Sequence, residues 1–410
     1  TPAVGTISGS GDVTGITAGT TDITYALASG CYVTKTVTVN AGPNPITGTP
    51  LGICVGASTF LSCTTPGGIW TSASPTVASI LSPGLIGGVS VGTATISYTI
   101  GATGCASTVV VTVNTLPGTI GGTLNVCAGQ TSTLTNSSAG GTWSSAIPLV
   151  GTIDATTGVF GGVAAGTTTI TYSLGTGCTV TAIATVNATP TITGGSTNIC
   201  AGTTTTFTGS PTGGTWISGT TTVATIGVGT GLATGVAPGG TTTITYTLSS
   251  GCRNTTVLTV TPLPSVITGT TSICAGQTTT LSSATTGGTW SSSNPAVGTI
   301  STGGVVTGIT AGTTTITYAV SGCSRTTVVL VNGLPTSITP AGAQVCEGST
   351  ITMTGAPSGG TWSASCPTIG TIATGSGTYA GISAGTCNVT YTLASGCSLV
   401  SSPITVNPLP

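Results

Sequence analysis

The fourteen cysteines are the most chemically capable residues in this 410-residue chain, because almost nothing else in it ionises. The cations are Lys35, Arg253 and Arg325, the acids are Asp12, Asp22, Asp154 and Glu347, and there is no histidine. A serine nucleophile needs a base, and Lys35 is the one candidate. Paired carboxylates for general acid–base work are missing, since Asp12 and Asp22 share a stretch while Asp154 and Glu347 stand alone. No Cys-x-x-Cys occurs, so the spacing supports neither a zinc site nor a thioredoxin-like site. Calcium needs several carboxylates at one place, which the chain cannot supply. Three cations cannot neutralise a run of phosphates. The expectation is a protein that is not an enzyme, with no catalytic residue, no metal, no cofactor and no nucleic-acid partner. Apolar stretches such as Val109–Val111 are three or four residues long, against about twenty for a helix crossing a bilayer. No membrane-spanning segment is therefore expected.

What the cysteines do is set by an internal repeat. A Gly-Gly-x-Trp motif places Trp70, Trp143, Trp216, Trp290 and Trp362 at steps of 72 to 74 residues. An upstream cysteine keeps the same register at Cys54, Cys127, Cys200, Cys274 and Cys346. A downstream Gly-Cys falls at Cys31, Cys105, Cys178, Cys252, Cys323 and Cys397, each preceded by a tyrosine at Tyr25, Tyr98, Tyr172, Tyr246, Tyr318 or Tyr391. Proline joints such as Val260-Thr-Pro-Leu-Pro264 separate the units. The predicted organisation is a partial repeat at 1–42 that lacks its first half, followed by repeats at 43–116, 117–189, 190–263, 264–335 and 336–410.

Inside a repeat the pattern is all β. Apolar and Thr/Ser positions alternate in Thr278 to Ser282, Thr313 to Val320 and Thr326 to Asn332, the period of a half-buried strand. Gly-Gly, Asn-Pro and Ser-Gly pairs punctuate the runs. Thr and Gly at this density oppose helix. About seven short strands per repeat predict small antiparallel sandwiches, and joints in which proline fixes φ predict a stiff, elongated rod.

If the upstream cysteine begins a strand at the end where the Gly-Cys turn lies, each repeat closes its own bond: Cys54–Cys105, Cys127–Cys178, Cys200–Cys252, Cys274–Cys323 and Cys346–Cys397. A loop of about 50 residues then contributes roughly 4 kcal/mol on the chain-entropy model, in an oxidising compartment. Cys366 and Cys387 are extra to the repeat and are expected to pair with each other. Cys31 and Cys63 are left without partners in the chain. Thr1 to Ser8 align with Asn294 to Ser301, which leaves two readings of the partial repeat: a window on a longer array, or a half-sandwich completed by another chain.

The one tryptophan per repeat, Trp70, Trp143, Trp216, Trp290 and Trp362, is expected in the core. Asn136, Asn187, Asn254 and Asn388 head Asn-x-Ser/Thr sequons, a glycosylation motif that is frequent by chance in Thr-rich sequence. Threonine runs such as Thr167 to Thr169, Thr203 to Thr206, Thr241 to Thr243 and Thr313 to Thr315 are uncharged β-formers, with ordered-water or ice binding as the alternative.

The run Gly288 to Ile300, followed by Gly304 to Tyr318, resembles bacterial Ig-like domains of group 2, the invasin/intimin-type repeats. The added Cys-Ala-Gly, Ser-Gly-Cys and Val-Asn-x-Leu-Pro elements resemble repeats of giant secreted surface proteins of Bacteroidota. That resemblance implies type IX secretion and a place at the cell surface. The expected function is structural: the extracellular stalk or filament part of a bacterial adhesin, whose neighbours are further repeats or copies of itself. The alternatives are a glycan- or ice-binding module and a strand-donating filament subunit.

Overall fold

A computed structural model describes residues 2–410, and every regular element among them is a strand. The chain forms two compact units, Thr1–Thr189 and Pro190–Pro410. The repeat at 264–335 serves as the pattern for the others. Its strands are β1 (Ser272–Cys274), β2 (Thr278–Thr280), β3 (Thr289–Ser292), β4 (Gly298–Ile300), β5 (Val305–Gly308), β6 (Gly312–Val320) and β7 (Cys323–Asn332). One sheet runs β1-β7-β6-β3 and the facing sheet β2-β5-β4. All pairings are antiparallel except β1 with β7, which is parallel with Cys274 opposite Asn332. Repeats 43–116, 117–189 and 190–263 have the same two sheets.

Alternation fills the core between the sheets. In β6, Thr314, Ile316 and Tyr318 point inward while their neighbours are more exposed. Ile316 clusters with Ile273, Leu281, Val306, Val329 and Val331, with Trp290 packed against them. Trp143, Trp216 and Trp362 are buried, and Trp70 and Trp290 are half-buried.

Each tryptophan faces the tyrosine opposite it on the strand corresponding to β6, with ring centroids 4.4 to 4.9 Å apart. The tyrosine hydroxyl then ties the sheet to the turn that begins the motif. Tyr318 Oη donates to Thr285 O at 2.8 Å and accepts from Gly288 N at 2.9 Å. Tyr98, Tyr172, Tyr246 and Tyr391 repeat the pair of bonds with Thr65 and Gly68, Ser138 and Gly141, Pro211 and Gly214, and Pro357 and Gly360. This explains both glycines. Gly287 has φ +80°, and a Cβ on Gly288 would sit 2.7 Å from Ala319 O and clash with the Tyr318 ring.

The repeat at 336–410 departs from the pattern. One more residue separates Cys397 from Asn407 than separates Cys323 from Asn332. The strands corresponding to β6 and β7 are each broken there, into Gly385–Cys387 and Val389–Thr392, and Ser398–Val400 and Ile404–Asn407. Pro403, which has no N–H to give, lies in the second break.

Its core also holds Tyr379, fully buried with no hydrogen-bond partner for the hydroxyl. Phe160 holds the same place in repeat 117–189, opposite Ile153 as Tyr379 is opposite Ile372. Burial pushes the Tyr379 phenol above its ordinary pKa. Its neutral form therefore contributes stability that is complete below the unfolded-state value of about 10 and is lost as pH rises through the higher folded value.

The two kinds of tyrosine are expected to respond oppositely to the same substitution. Tyr318→Phe strands a backbone donor and acceptor and should destabilise its repeat by roughly 1–3 kcal/mol. Tyr379→Phe removes a stranded hydroxyl and should stabilise its repeat by roughly 1 kcal/mol, with weaker alkaline sensitivity. Hydrogen exchange followed repeat by repeat in denaturant measures both.

Candidate functional site

The parallel pairing of β1 with β7 decides what the repeated cysteines can reach. It brings Cys274 to Asn332, the last residue of β7, whereas Cys323 is the first residue of the same strand. Nine steps at about 3.3 Å put these two cysteines some 30 Å apart, far beyond the 7 Å limit on Cα separation in a disulfide. The same register places Cys54 at Asn114, Cys127 at Asn187, Cys200 at Thr261 and Cys346 at Asn407.

The bonds therefore join successive sandwiches. Cys54 pairs with Cys178, Cys200 with Cys323 and Cys274 with Cys397, with Cα separations of 5.7, 5.7 and 5.6 Å. Cys127 and Cys252 are also disulfide-bonded. This overturns the expected pairs Cys54–Cys105, Cys127–Cys178, Cys200–Cys252, Cys274–Cys323 and Cys346–Cys397. The upstream cysteine ends a short edge strand at the far end of the sandwich; it does not begin a strand beside the Gly-Cys turn. Cys105 and Cys346, expected in bonds, are free thiols, as are Cys31 and Cys63.

Polar contacts within a repeat hold the segments near these cysteines. Arg325 Nε donates to Pro264 O at 3.0 Å, and Asn254 Nδ2 donates to Pro190 O at 2.9 Å, each two residues beyond the Gly-Cys cysteine. At the other end of the strand, Asn332 Nδ2 donates to Ser272 Oγ at 2.8 Å, and Thr261 Oγ1 donates to Asn198 Oδ1 at 2.5 Å. Both hold the end of the cysteine-bearing strand in place. The Sγ atoms of Cys323 and Cys397 lie 4.0 Å from Thr261 O and 3.9 Å from Asn332 O.

Cys366 and Cys387 bond to each other, with Cα atoms 5.6 Å apart. Three of the other repeats show what they replace. Thr314 Oγ1 contacts Ser292 Oγ at 2.7 Å and accepts from Asn294 N at 3.1 Å. Ser292 Oγ donates to Gly298 O at 2.6 Å. Thr168 with Ser145 and Ile147, and Thr242 with Ser218 and Thr220, repeat the node. In repeat 336–410, Cys387 stands at the threonine position, Cys366 at the Asn294 position and Ala364 at the serine position. A covalent bond takes the place of the buried hydroxyl network.

The remaining candidates are local structure. Hydrogen bonds from Thr157 N, Thr157 Oγ1 and Thr156 N hold the Asp154 carboxyl below its ordinary range in an exposed turn. Among the described residues no group of three or more His, Cys, Asp or Glu could hold a metal. Surface grooves of about 400 and 330 Å³ lie at the Trp216–Tyr246 and Trp290–Tyr318 pairs and are rimmed by Thr, Ser and Gly. Of the sequon asparagines, Asn136, Asn187 and Asn254 donate their side-chain amides to the carbonyls of Gly118, Val126 and Pro190. Asn388 lies half-buried beside Cys387.

The chain is a tandem array of small, repeated β-sandwiches. No family model and no curated protein matches it. Solved structures with similar chain segments include the S-layer protein rSbsC(31-844), at 13% identity over 71% of this chain and 54% of that one, TM-score 0.19. The N-terminal eight Ig domains of Down Syndrome Cell Adhesion Molecule align at 11% identity over 96% of this chain and 64% of that one, TM-score 0.27. The protocadherin GammaB4 extracellular domain aligns at 13% over 98% and 93%, TM-score 0.16. The chain thus spans between half and two thirds of the length of the first two.

If the private bond substitutes for the node, the double variant Cys366→Asn with Cys387→Thr should still fold. It loses the constraint on a 21-residue loop, roughly 3 kcal/mol on the chain-entropy model, and regains part of it through a bond from the backbone N of residue 366 to the threonine hydroxyl. Cys366→Asn with Cys387→Ala, which supplies no hydroxyl to that N–H, should be the less stable of the two. Denaturant titration of repeat 336–410 by hydrogen exchange compares them.

Proposed function

We propose that this chain is part of the stalk or filament of an extracellular adhesin at a bacterial surface, of the Bacteroidota type that its motifs resemble, holding a binding tip away from the cell. The observation that supports this reading is the set of disulfides joining one sandwich to the next. A disulfide inside a sandwich would stabilise that sandwich alone. Bridges from the end of one to the Gly-Cys turn of the next overlap and shorten the route that tension takes: between Cys200 and Cys397 the bonds Cys200–Cys323 and Cys274–Cys397 leave two parallel routes of 74 residues each in place of 197. Such bonds persist in an oxidising compartment, which fits an extracellular location. With seven charged side chains in 410 residues, little in the fold depends on salt or on pH near neutrality.

The ice-binding alternative loses support at the threonine runs. Thr168, Thr242 and Thr314 are buried in the hydroxyl nodes, so the runs Thr167 to Thr169, Thr241 to Thr243 and Thr313 to Thr315 each turn their middle member inward.

Stretching single full-length chains by their ends tests the mechanical role. In the oxidised chain, the span from Cys200 to Cys397 should extend no further than its parallel 74-residue routes allow. Reduction should release on the order of 400 Å from that span. Equal extension before and after reduction would contradict the role.

A further inference from the structure

The turn between β4 and β5 differs in length among the repeats, and the cover over the tryptophan differs with it. In three repeats it has five residues, 154–158, 227–231 and 373–377. There the carbonyl of its second residue accepts from the tryptophan backbone: Trp143 N donates to Ala155 O at 3.0 Å, Trp216 N to Val228 O at 2.9 Å and Trp362 N to Thr374 O at 2.9 Å. All three of these tryptophans are buried.

In repeat 264–335 the turn has four residues, 301–304. It closes on itself through Ser301 N to Val305 O and Gly304 N to Ser301 O. Trp290 keeps the register opposite Tyr318 that Trp216 keeps opposite Tyr246. Its N–H therefore points the same way, toward the turn, yet it finds no acceptor there among the described residues. Trp290 is half-buried.

The open donor and the uncovered indole share a groove of about 330 Å³, inside the range of about 300–1,000 Å³ typical of small-ligand sites. The exposed Thr286 and Thr302 line it with Trp290 and Tyr318, and no charged side chain does. Repeat 43–116 has the short turn and a half-buried Trp70 as well. Phe60 and Leu81, both exposed, stand there in place of Thr280 and Ser301, so that rim is apolar.

These features select a ligand by its chemistry. A charged ligand would surrender hydration without meeting a counter-charge. A wholly apolar one would cover the Trp290 N–H and leave it unpaired. We propose that the groove at Trp290 binds a neutral sugar. The C–H groups of the sugar ring pack against the exposed part of the indole. One sugar oxygen accepts from Trp290 N, and its hydroxyls exchange hydrogen bonds with Thr286 and Thr302, which both donate and accept. The site goes beyond the stalk reading and does not depend on it, since it gives the repeat a ligand of its own.

The full-length oxidised chain, labelled with ¹⁵N at tryptophan, is titrated with the neutral hexasaccharides cellohexaose, maltohexaose and mannohexaose and with an uncharged Gly-Ser peptide. At least one hexasaccharide should shift the backbone and indole resonances of Trp290 saturably, leaving those of Trp143, Trp216 and Trp362 in place. Trp290→Phe, which keeps a ring opposite Tyr318, should weaken binding roughly tenfold. Replacing residues 301–304 with Gly-Val-Gly-Thr-Gly, the turn at 227–231, gives Trp290 N its acceptor. That chain should fold, protect the Trp290 amide from hydrogen exchange and lose binding by at least roughly tenfold. No shift at Trp290 with any hexasaccharide up to about 10 mM, well above a millimolar dissociation constant, would overturn the proposal. So would equal shifts at every tryptophan, undiminished binding by the chain with the five-residue turn, or binding of the peptide at Trp290 without any sugar binding there.

Discussion

Three residues at the edge of each sandwich, paired parallel to its last strand, set the organisation of this protein. Parallel pairing makes Cys274 travel in the same direction as β7 and finish beside Asn332, at the end from which the chain leaves for the next repeat. The Gly-Cys cysteine begins the same strand at the opposite end. The place along β7 is what keeps the two cysteines of one repeat apart, since reversing so short a strand there would bring Cys274 only to Leu330, still seven residues from Cys323. From this one register follow the bridges Cys54–Cys178, Cys200–Cys323 and Cys274–Cys397.

The interior of each sandwich is held by repeated devices. Trp and Tyr pack across two neighbouring strands, and the Tyr hydroxyl takes up a backbone donor and acceptor in the turn where Gly-Gly lets the chain pass close to the ring. In repeats 117–189, 190–263 and 264–335 a buried threonine, a serine and a backbone N–H also tie the same sheet to the turn before β4, whereas Ala94 stands at the threonine position in repeat 43–116. Repeat 336–410 exchanges that second device for Cys366–Cys387 and keeps the first. Small domains have little core to draw on, and these polar ties supply specificity without charge.

Much of the fold was legible from residue spacing. Alternation in Thr313 to Val320 predicts β6 and its inward face, and the Trp and Tyr markers predict the repeat. Cys366 and Cys387 stand out because the other repeats lack them. The pairing of the regular cysteines was not legible. Alternation reports which face a side chain takes, and Ser272–Cys274 is too short to reveal its partner or direction. The Tyr318 hydroxyl bonds were hidden for a related reason. Their partners, Thr285 O and Gly288 N, are backbone groups, whose placement depends on the turn and leaves no mark in side-chain type. The constant Gly-Gly ahead of each Trp was the available signal, and a reading of it as turn punctuation alone misses the ring beneath.

Mass spectrometry of the non-reduced full-length chain, after cleavage with a protease that does not depend on its few lysines and arginines, tests the central claim most directly. If the parallel edge strand sets the pairing, the linked peptides will contain Cys54 with Cys178, Cys200 with Cys323 and Cys274 with Cys397. Linked peptides containing Cys200 with Cys252, or Cys274 with Cys323, would contradict it.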